Sequence, residues 1–417
     1  MKRLLIIFVI FFASPLWSGF EMGASAQVMV NKGAIIYSAN DIIYVDGGLS
    51  NLKDTINGTG GTFRNSGSMY VTNGDFTNSA GNAAFTNTAG LNGASTINFF
   101  LNSPGPQDIK GNDVTEFYKL NLQGGGKKQL NGINAIVKDS LILNDLEFST
   151  DVKTLYFTNP AVDAISRTSG FVSSLKDGAM VRSTNSSQPY LFPVGASTRY
   201  RPVEITPDNG SLNQFAVGMR NAQADLDAYP TGTKEANISL VNQSYYHLVR
   251  REPGGSATAT ITMYYDEATD GKFASMAHWQ NAPQWEDIAG APAGGKFGFT
   301  KSMVKQSWDF PTAGFNAFAL IKLVNECGEM FVPNAFSPDN NGENDLEMVY
   351  GKCIQKIYFA IYDRWGEKVF ETTDATRGWD GKYKGKELNT GVFVYYLTAT
   401  LTTGEEIVKK GNISLFK

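Results

Sequence analysis

The chain has 417 residues, 36 basic against 40 acidic, a net charge of −4, and no dense cluster of Lys and Arg. That balance gives no reason to expect nucleic acid or an anionic membrane surface as a partner. Forty-three glycines, two cysteines and a charged fraction of 18% point to many short strands and turns, and the length suffices for two or three domains.

At the N-terminus, Lys2 and Arg3 precede an apolar run from Leu4 to Phe12, and Ala24-Ser25-Ala26 places small residues ahead of Gln27. This is the build of a secretory signal peptide over residues 1–26, cleaved between Ala26 and Gln27. The run is too short to span a bilayer. No later segment has spanning length, so no transmembrane span is expected in the mature chain, which is read as secreted or held at the cell surface after periplasmic transit.

Residues 27–163 are rich in Asn, Gly, Ser and Thr and lack helical periodicity. A loose repeat stands out: Phe63-Arg-Asn-Ser-Gly67, Phe76-Thr-Asn-Ser-Ala-Gly81 and Phe85-Thr-Asn-Thr-Ala-Gly90. Stacked in a parallel β-solenoid, such units bury their aromatic residues and line up Asn side chains in hydrogen-bonded ladders at the bends. Short strands are predicted over Glu116–Leu122, Ile133–Leu143 and Thr154–Phe157. Their irregular spacing leaves a β-meander as the alternative.

Across residues 164–325, runs such as Ala179–Ser183, Tyr190–Val194, Arg201–Ile205, Tyr245–Arg250, Ala257–Tyr265 and Asn316–Leu323 alternate apolar and polar residues between Gly- and Pro-rich turns. Regular short strands of this kind predict a central β-sandwich, which makes the whole chain all-β and multidomain.

Residues 326–417 form the last unit. Ile357, Phe359 and Ile361 alternate with Tyr358, Ala360 and Tyr362. A turn follows at Asp363–Gly366, and a second alternating strand carries Val392 to Leu397. An Ig-like antiparallel sandwich is expected, closed by a strand that ends at Phe416. Cys327 and Cys353 bracket its start. In an exported chain the simplest reading is one disulfide worth ~3 kcal/mol; two separate buried thiols are the alternative.

Five blocks stand in order here: Phe331-Val-Pro-Asn-Ala-Phe-Ser-Pro338, Asp339-Asn-Asn-Gly-Glu-Asn-Asp345, Ile361-Tyr-Asp-Arg-Trp-Gly366, Gly378-Trp-Asp-Gly381 and Thr390-Gly-Val-Phe-Val-Tyr395. In that order and spacing the segment resembles the gliding-motility-associated C-terminal domain family of Bacteroidetes, the type B sorting domain of the type IX secretion system. The motif residues are Pro333, Asn334, Trp365, Gly366, Trp379, Asp380, Gly381 and Gly391. The resemblance implies recognition by the type IX translocon, helped by a PorP/SprF-like outer-membrane protein. Exposed residues of the terminal strands, with Lys382, Lys384 and Lys386, are candidates for that contact; an ordinary solvated hairpin is the other reading of the lysines.

Candidate sites each have a plainer reading. Asp339, Asn341, Glu343 and Asp345 alternate around Gly342 and are candidate Ca²⁺ ligands. Asx residues also hold loops by bonding their own backbone, and the segment departs from the family's usual Pro-Asn-Gly-Asp-Gly-x-Asn-Asp. No other cofactor is expected. Trp279 and Trp285, near Tyr264 and Tyr265, are candidate sugar-stacking residues but are more often core. Trp365 and Trp379 are read as core anchors, with Asp380-Gly381 as a hairpin turn. Asp266, Glu267 and Asp270 are an acid–base pair, a cation loop or, more commonly, a solvated loop. His247 and His278 lack metal-ligand spacing and a Gly-x-Ser-x-Gly neighbour. The chain is therefore expected to be a non-enzymatic adhesion or structural protein. The alternative is a glycan-binding module or a polysaccharide lyase or hydrolase on the solenoid, for which Lys127, Lys128 and Lys138 are the only clustered bases.

Overall fold

The computed structural model describes residues 4–5, 29–32, 35–38, 42–53, 62–65, 68–81, 85–87, 98–279, 284–312, 314–324, 327–402 and 404–417. The leader expected over residues 1–26, with its cleavage site at Ala26 and Gln27, lies outside these apart from residues 4–5. The chain is nearly all-β, and no helix of the described residues is long and apolar enough to cross a membrane. It divides into two compact units, Met1–Leu323 and Val324–Lys417.

The first unit begins as a parallel β-solenoid of about 5 turns, so the meander reading is set aside. One row of strands runs Ile42–Asp46, Ser68–Thr72, Asn98–Ser103, Thr115–Gly124, Ala135–Ile142 and Thr154–Phe157, each parallel to the next. A second row runs Met29–Lys32, Leu49–Leu52, Phe76–Ser79, Gln107–Gly111, Lys128–Asn131, Glu147–Ser149 and Phe171–Ser173. Successive coils put like side chains in register. Phe117, Val137 and Phe157 stack inward, as do Leu49, Phe76 and Ile109, and all six are fully buried. Each contributes ~1.5–3 kcal/mol of burial.

The expected Asn ladder is present. Asn31 Nδ2 donates to Asn51 Oδ1 at 2.9 Å, Asn51 Nδ2 to Asn78 Oδ1 at 3.5 Å, and Asn78 Nδ2 to Thr115 Oγ1 at 3.2 Å. The next position in register after Asn78 is Gly111. A Cβ there would sit 1.9 Å from the Asn78 carbonyl oxygen, at a φ of +132°, so the ladder passes to Thr115 instead.

The sheet continues across residues 163 and 164. Ile165–Ser166 and Phe171–Ser173 still pair with solenoid strands, and Ala179–Thr184 lies parallel to Thr154–Phe157. On its other edge that same strand runs antiparallel to Asn213–Arg220, which opens the sandwich. Arg182 pins this junction. Fully buried, it donates to the carbonyls of Leu191, Ala161 and Val162 at 2.6, 2.9 and 2.6 Å, and burial lowers its pKa to about 10. The junction sheet adds Tyr246–Arg251, Asn316–Leu323 and Ser275–Trp279. It faces a second sheet of Tyr190–Phe192, Val203–Pro207, Ala259–Tyr265, Lys301–Trp308 and Ala291–Gly294. Phe192, Ile205, Met263 and Met303 pack there with Phe215, Val217, Phe318 and Leu320.

The second unit is built on a five-stranded sheet in the order Ala335–Phe336, Glu406–Leu415, Gly391–Leu401, Ile354–Tyr362, Lys368–Thr372. It is mixed, because Ala335–Phe336 joins parallel to the last strand. That pairing seats the C-terminal strand between two neighbours over its final residues, where Ile413 and Leu415 are buried.

Candidate functional site

Most of the motif blocks of the second unit meet around Trp379. Its ring lies 5.3 Å from that of Phe336 and 4.8 Å from that of Phe393, and its Nε1–H donates to the Lys382 carbonyl at 2.9 Å. Its backbone exchanges two 2.9 Å hydrogen bonds with Glu347. Gly381 is buried at φ +75°, with Pro338 and Leu415 close enough that a Cβ would meet them at 3.1 and 3.2 Å. Half-buried Pro333 precedes Asn334, whose carbonyl accepts from Ser414 N at 2.9 Å, while Gly391 pairs with Leu415. The blocks therefore tie the start of the unit to its last strand. Cys327 and Cys353 form a disulfide with a Cα–Cα distance of 5.3 Å.

Two expectations are corrected here. Trp365 is not a core anchor: it caps the Asp363–Gly366 turn at 80% exposure, with Arg364 5.1 Å from its ring. Asp363 Oδ1 accepts from Trp365 N and Glu367 N, and this tight turn projects the indole away from the sheet. The hairpin turn lies at Lys384–Gly385, between Lys382–Tyr383 and Lys386–Glu387, and not at Asp380-Gly381. Asp380 instead accepts from Lys382 N at 3.1 Å.

The Asp339–Asp345 loop satisfies itself. Asp345 accepts from Asn340 N at 2.6 Å and Gly342 N at 2.8 Å, Asp339 from Asn341 N at 3.1 Å, and Asn341 Oδ1 from Glu343 N at 2.7 Å. Among the described residues no three His, Cys, Asp or Glu side chains gather as a metal-ligand group. The loop's shape needs no cation to account for it. Asp339 and Asp345 line a cleft of about 290 Å³ with Pro338, Asp380 and Lys417.

The sheet buries one face and opens the other. Along Gly391–Leu401, Phe393, Tyr395, Leu397 and Ala399 are buried, while Val392 and Val394 are exposed. Val408 of the last strand, which pairs with Thr398 further along, is exposed as well. Tyr358, Tyr362 and Tyr396 are half-buried, and Lys356, Lys368 and Lys410 are exposed. On the hairpin, Lys384 Nζ lies 3.8 Å from Glu367 and Lys382 Nζ 3.7 Å from Asp380, so these lysines are charge-matched locally; Lys386 is exposed. Behind the covered face, Glu347 is fully buried and neither carboxylate oxygen has a partner among the described residues. Burial alone pushes its pKa up to about 8. Nothing in the sequence signals this residue.

In the first unit the candidates are mostly internal. Trp279, Trp285, Tyr264 and Tyr265 are buried, the core reading, and the two indoles sit 5.6 Å apart. The acidic turn is not simply solvated: Asp270 takes a bidentate pair from Arg201 Nε and Nη2, each at 2.7 Å, and its side chain is 1% exposed. Glu267 sits beside Asp266, which caps the short helix through Ala268 N. His247 is buried with Nε2 2.8 Å from the Arg201 carbonyl oxygen. Lys128 is buried and donates to the carbonyls of Ser103, Gly105 and Gly125, with its pKa lowered to about 8 by burial. Lys138 pairs with Glu116, and Lys127 is exposed. The three bases serve separate places and do not converge.

Residues 330–415 match the family described as the CHU_C Type IX secretion signal domain. No curated protein and no solved structure matches the chain. The terminal unit is thus a type IX secretion signal, which implies contact with the type IX machinery and delivery to the cell surface or the extracellular space.

Proposed function

We propose that this type IX cargo works outside the cell as a non-enzymatic adhesion or structural protein, with residues up to Leu323 as the passenger. The observation that carries the passenger reading is the continuous hydrogen-bonded sheet running from the solenoid through Ala179–Thr184 into the sandwich. Its buried polar groups support the same reading, since the Asn ladder, Lys128, Arg182 and the Arg201–Asp270 pair are all engaged in holding coils and sheets together. A protein built this way is a stiff spacer or surface element. The test is incubation of the purified chain with neutral and acidic polysaccharides, alongside adhesion of cells with and without the gene. Loss of adhesion without released sugar supports the reading; released oligosaccharide overturns it in favour of an enzyme.

For the sorting step, the proposed partners are the type IX translocon and a PorP/SprF-like outer-membrane protein that also holds the product at the surface. The proposed contact is the open face bearing Val392, Val394 and Val408, together with Trp365. Exposed tryptophan is enriched where partner surfaces bind, and exposed valines on the same open face add apolar area for a partner to bury. Trp365→Ala is expected to reduce surface delivery severalfold without shifting the unfolding midpoint of the unit. Undiminished delivery removes Trp365 from the contact.

A further inference from the structure

The rim of the sandwich carries an open cleft of about 350 Å³, lined by Arg251, His278, Trp308, Asp309, Pro311 and Asn316. It sits where Tyr246–Arg251, Ser275–Trp279, Lys301–Trp308 and Asn316–Leu323 meet the turn after Trp308. Its size is at the small end of ligand sites, which run from ~300 Å³ upward. Unsatisfied polar groups are concentrated here. His278 is 7% exposed, and among the described residues neither of its ring nitrogens has a partner. The same holds for Trp308 Nε1 and Arg251 Nε. Buried polar groups in folded proteins are almost always paired, so three such side chains on one cleft point to a missing partner.

The chemistry of that partner follows from the inventory. Arg251 Nε and Trp308 Nε1 are donors, and His278, kept neutral by burial that lowers its pKa to about 4, adds one donor and one acceptor. Donors outnumber acceptors, so the ligand must be rich in oxygen acceptors. The guanidinium is met only weakly: Arg251 Nη2 lies 3.4 Å from Asp309, whose side chain is 75% exposed at the rim. That carboxylate is displaceable, and its place suits a ligand carboxylate. The walls are flat, with Trp308 half-buried, its ring centroid 5.0 Å from that of His278, and Pro311 beside them. A flat aromatic wall in a shallow cleft fits a sugar ring better than an aliphatic chain.

We propose that this cleft binds a carboxylated sugar. Arg251 takes the carboxylate in place of Asp309. Trp308 turns its ring face to one pyranose and its in-plane N–H to an oxygen of the adjoining sugar, and His278 and Asn316 meet hydroxyl groups. The site uses none of the terminal unit, and the inference does not rest on the proposed adhesive role.

The test is titration calorimetry of the full chain with a galacturonate trimer, its uncharged galactose counterpart, and an acetylated tripeptide with a free carboxylate. The trimer is expected to bind at least about tenfold tighter than either comparison. Arg251→Gln and Trp308→Phe should each weaken binding about tenfold. Asp309→Asn alters an exposed side chain, keeps the fold and should tighten binding about threefold by freeing the guanidinium. No binding, equal binding of the uncharged trimer, tighter binding of the peptide, or an affinity indifferent to Trp308→Phe and Asp309→Asn overturns the proposal.

Discussion

Glu347 makes the stability of the secretion signal depend on pH in the direction opposite to an ion-paired carboxylate. Its side chain is fully buried, its oxygens have no partner among the described residues, and burial raises its pKa to about 8 from an ordinary value of 4.5. Between those two values the folded state holds a proton that the unfolded state has released. Unfolding then releases a proton, so stability is fully present below about 4.5 and is lost as the pH rises through about 8. The limiting slope is ~1.4 kcal/mol per pH unit, which gives a loss of ~2 kcal/mol between pH 6 and pH 8. Hydrogen exchange read on peptides from Gly391–Leu401 in the full chain, corrected for intrinsic exchange, measures this unit by itself. Protection in the native chain should fall a few tens-fold over that interval. Glu347→Gln, which keeps the neutral shape, should flatten the dependence and be the more protected form at pH 8. A flat native profile, or an unchanged slope in the Gln variant, would refute the account of a buried neutral carboxyl.

Three further outcomes follow from the packing. Asn78→Ala removes the middle of the ladder and with it the hydrogen bonds to Asn51 and Thr115, so chemical denaturation should register a loss of ~1–3 kcal/mol. Arg182→Met leaves the carbonyls of Leu191, Ala161 and Val162 without their charged donor, and the first unit should lose ~3 kcal/mol or more in the same assay. Reducing the Cys327–Cys353 disulfide should destabilise the terminal unit by ~3 kcal/mol, seen as a lower melting temperature for that transition alone.

The solenoid was legible because stacking repeats a residue type at one corner. Phe76, Asn78 and Phe85 announce the coil, the short strand expected over Thr154–Phe157 is present, and Asn316–Leu323 falls where its alternation predicts. Asn31 and Asn51 belong to the same ladder but were hidden, since their separations of 20 and 27 residues differ from coil to coil. Trp365 misled because apolarity says nothing about which way a tight turn aims a side chain. Asp270 read as solvated because its partner Arg201 is 69 residues away. The Arg251–His278–Trp308 cleft was invisible for a similar reason: three strands supply it, and no local spacing links them. In the terminal unit the motifs were readable as a block, yet only the structure separates those that hold the fold, such as Trp379 and Gly381, from Trp365, which does not.

The central claim is that residues 330–415 export everything before them. The direct measurement is surface proteolysis with cell fractionation, comparing the full chain with one ended after Leu323, at the boundary between the two units. The shortened chain should stay folded and remain in the periplasm while the full chain is cleaved at the surface. A shortened chain that still reaches the surface would contradict the claim and return the terminal unit to the working part of the protein.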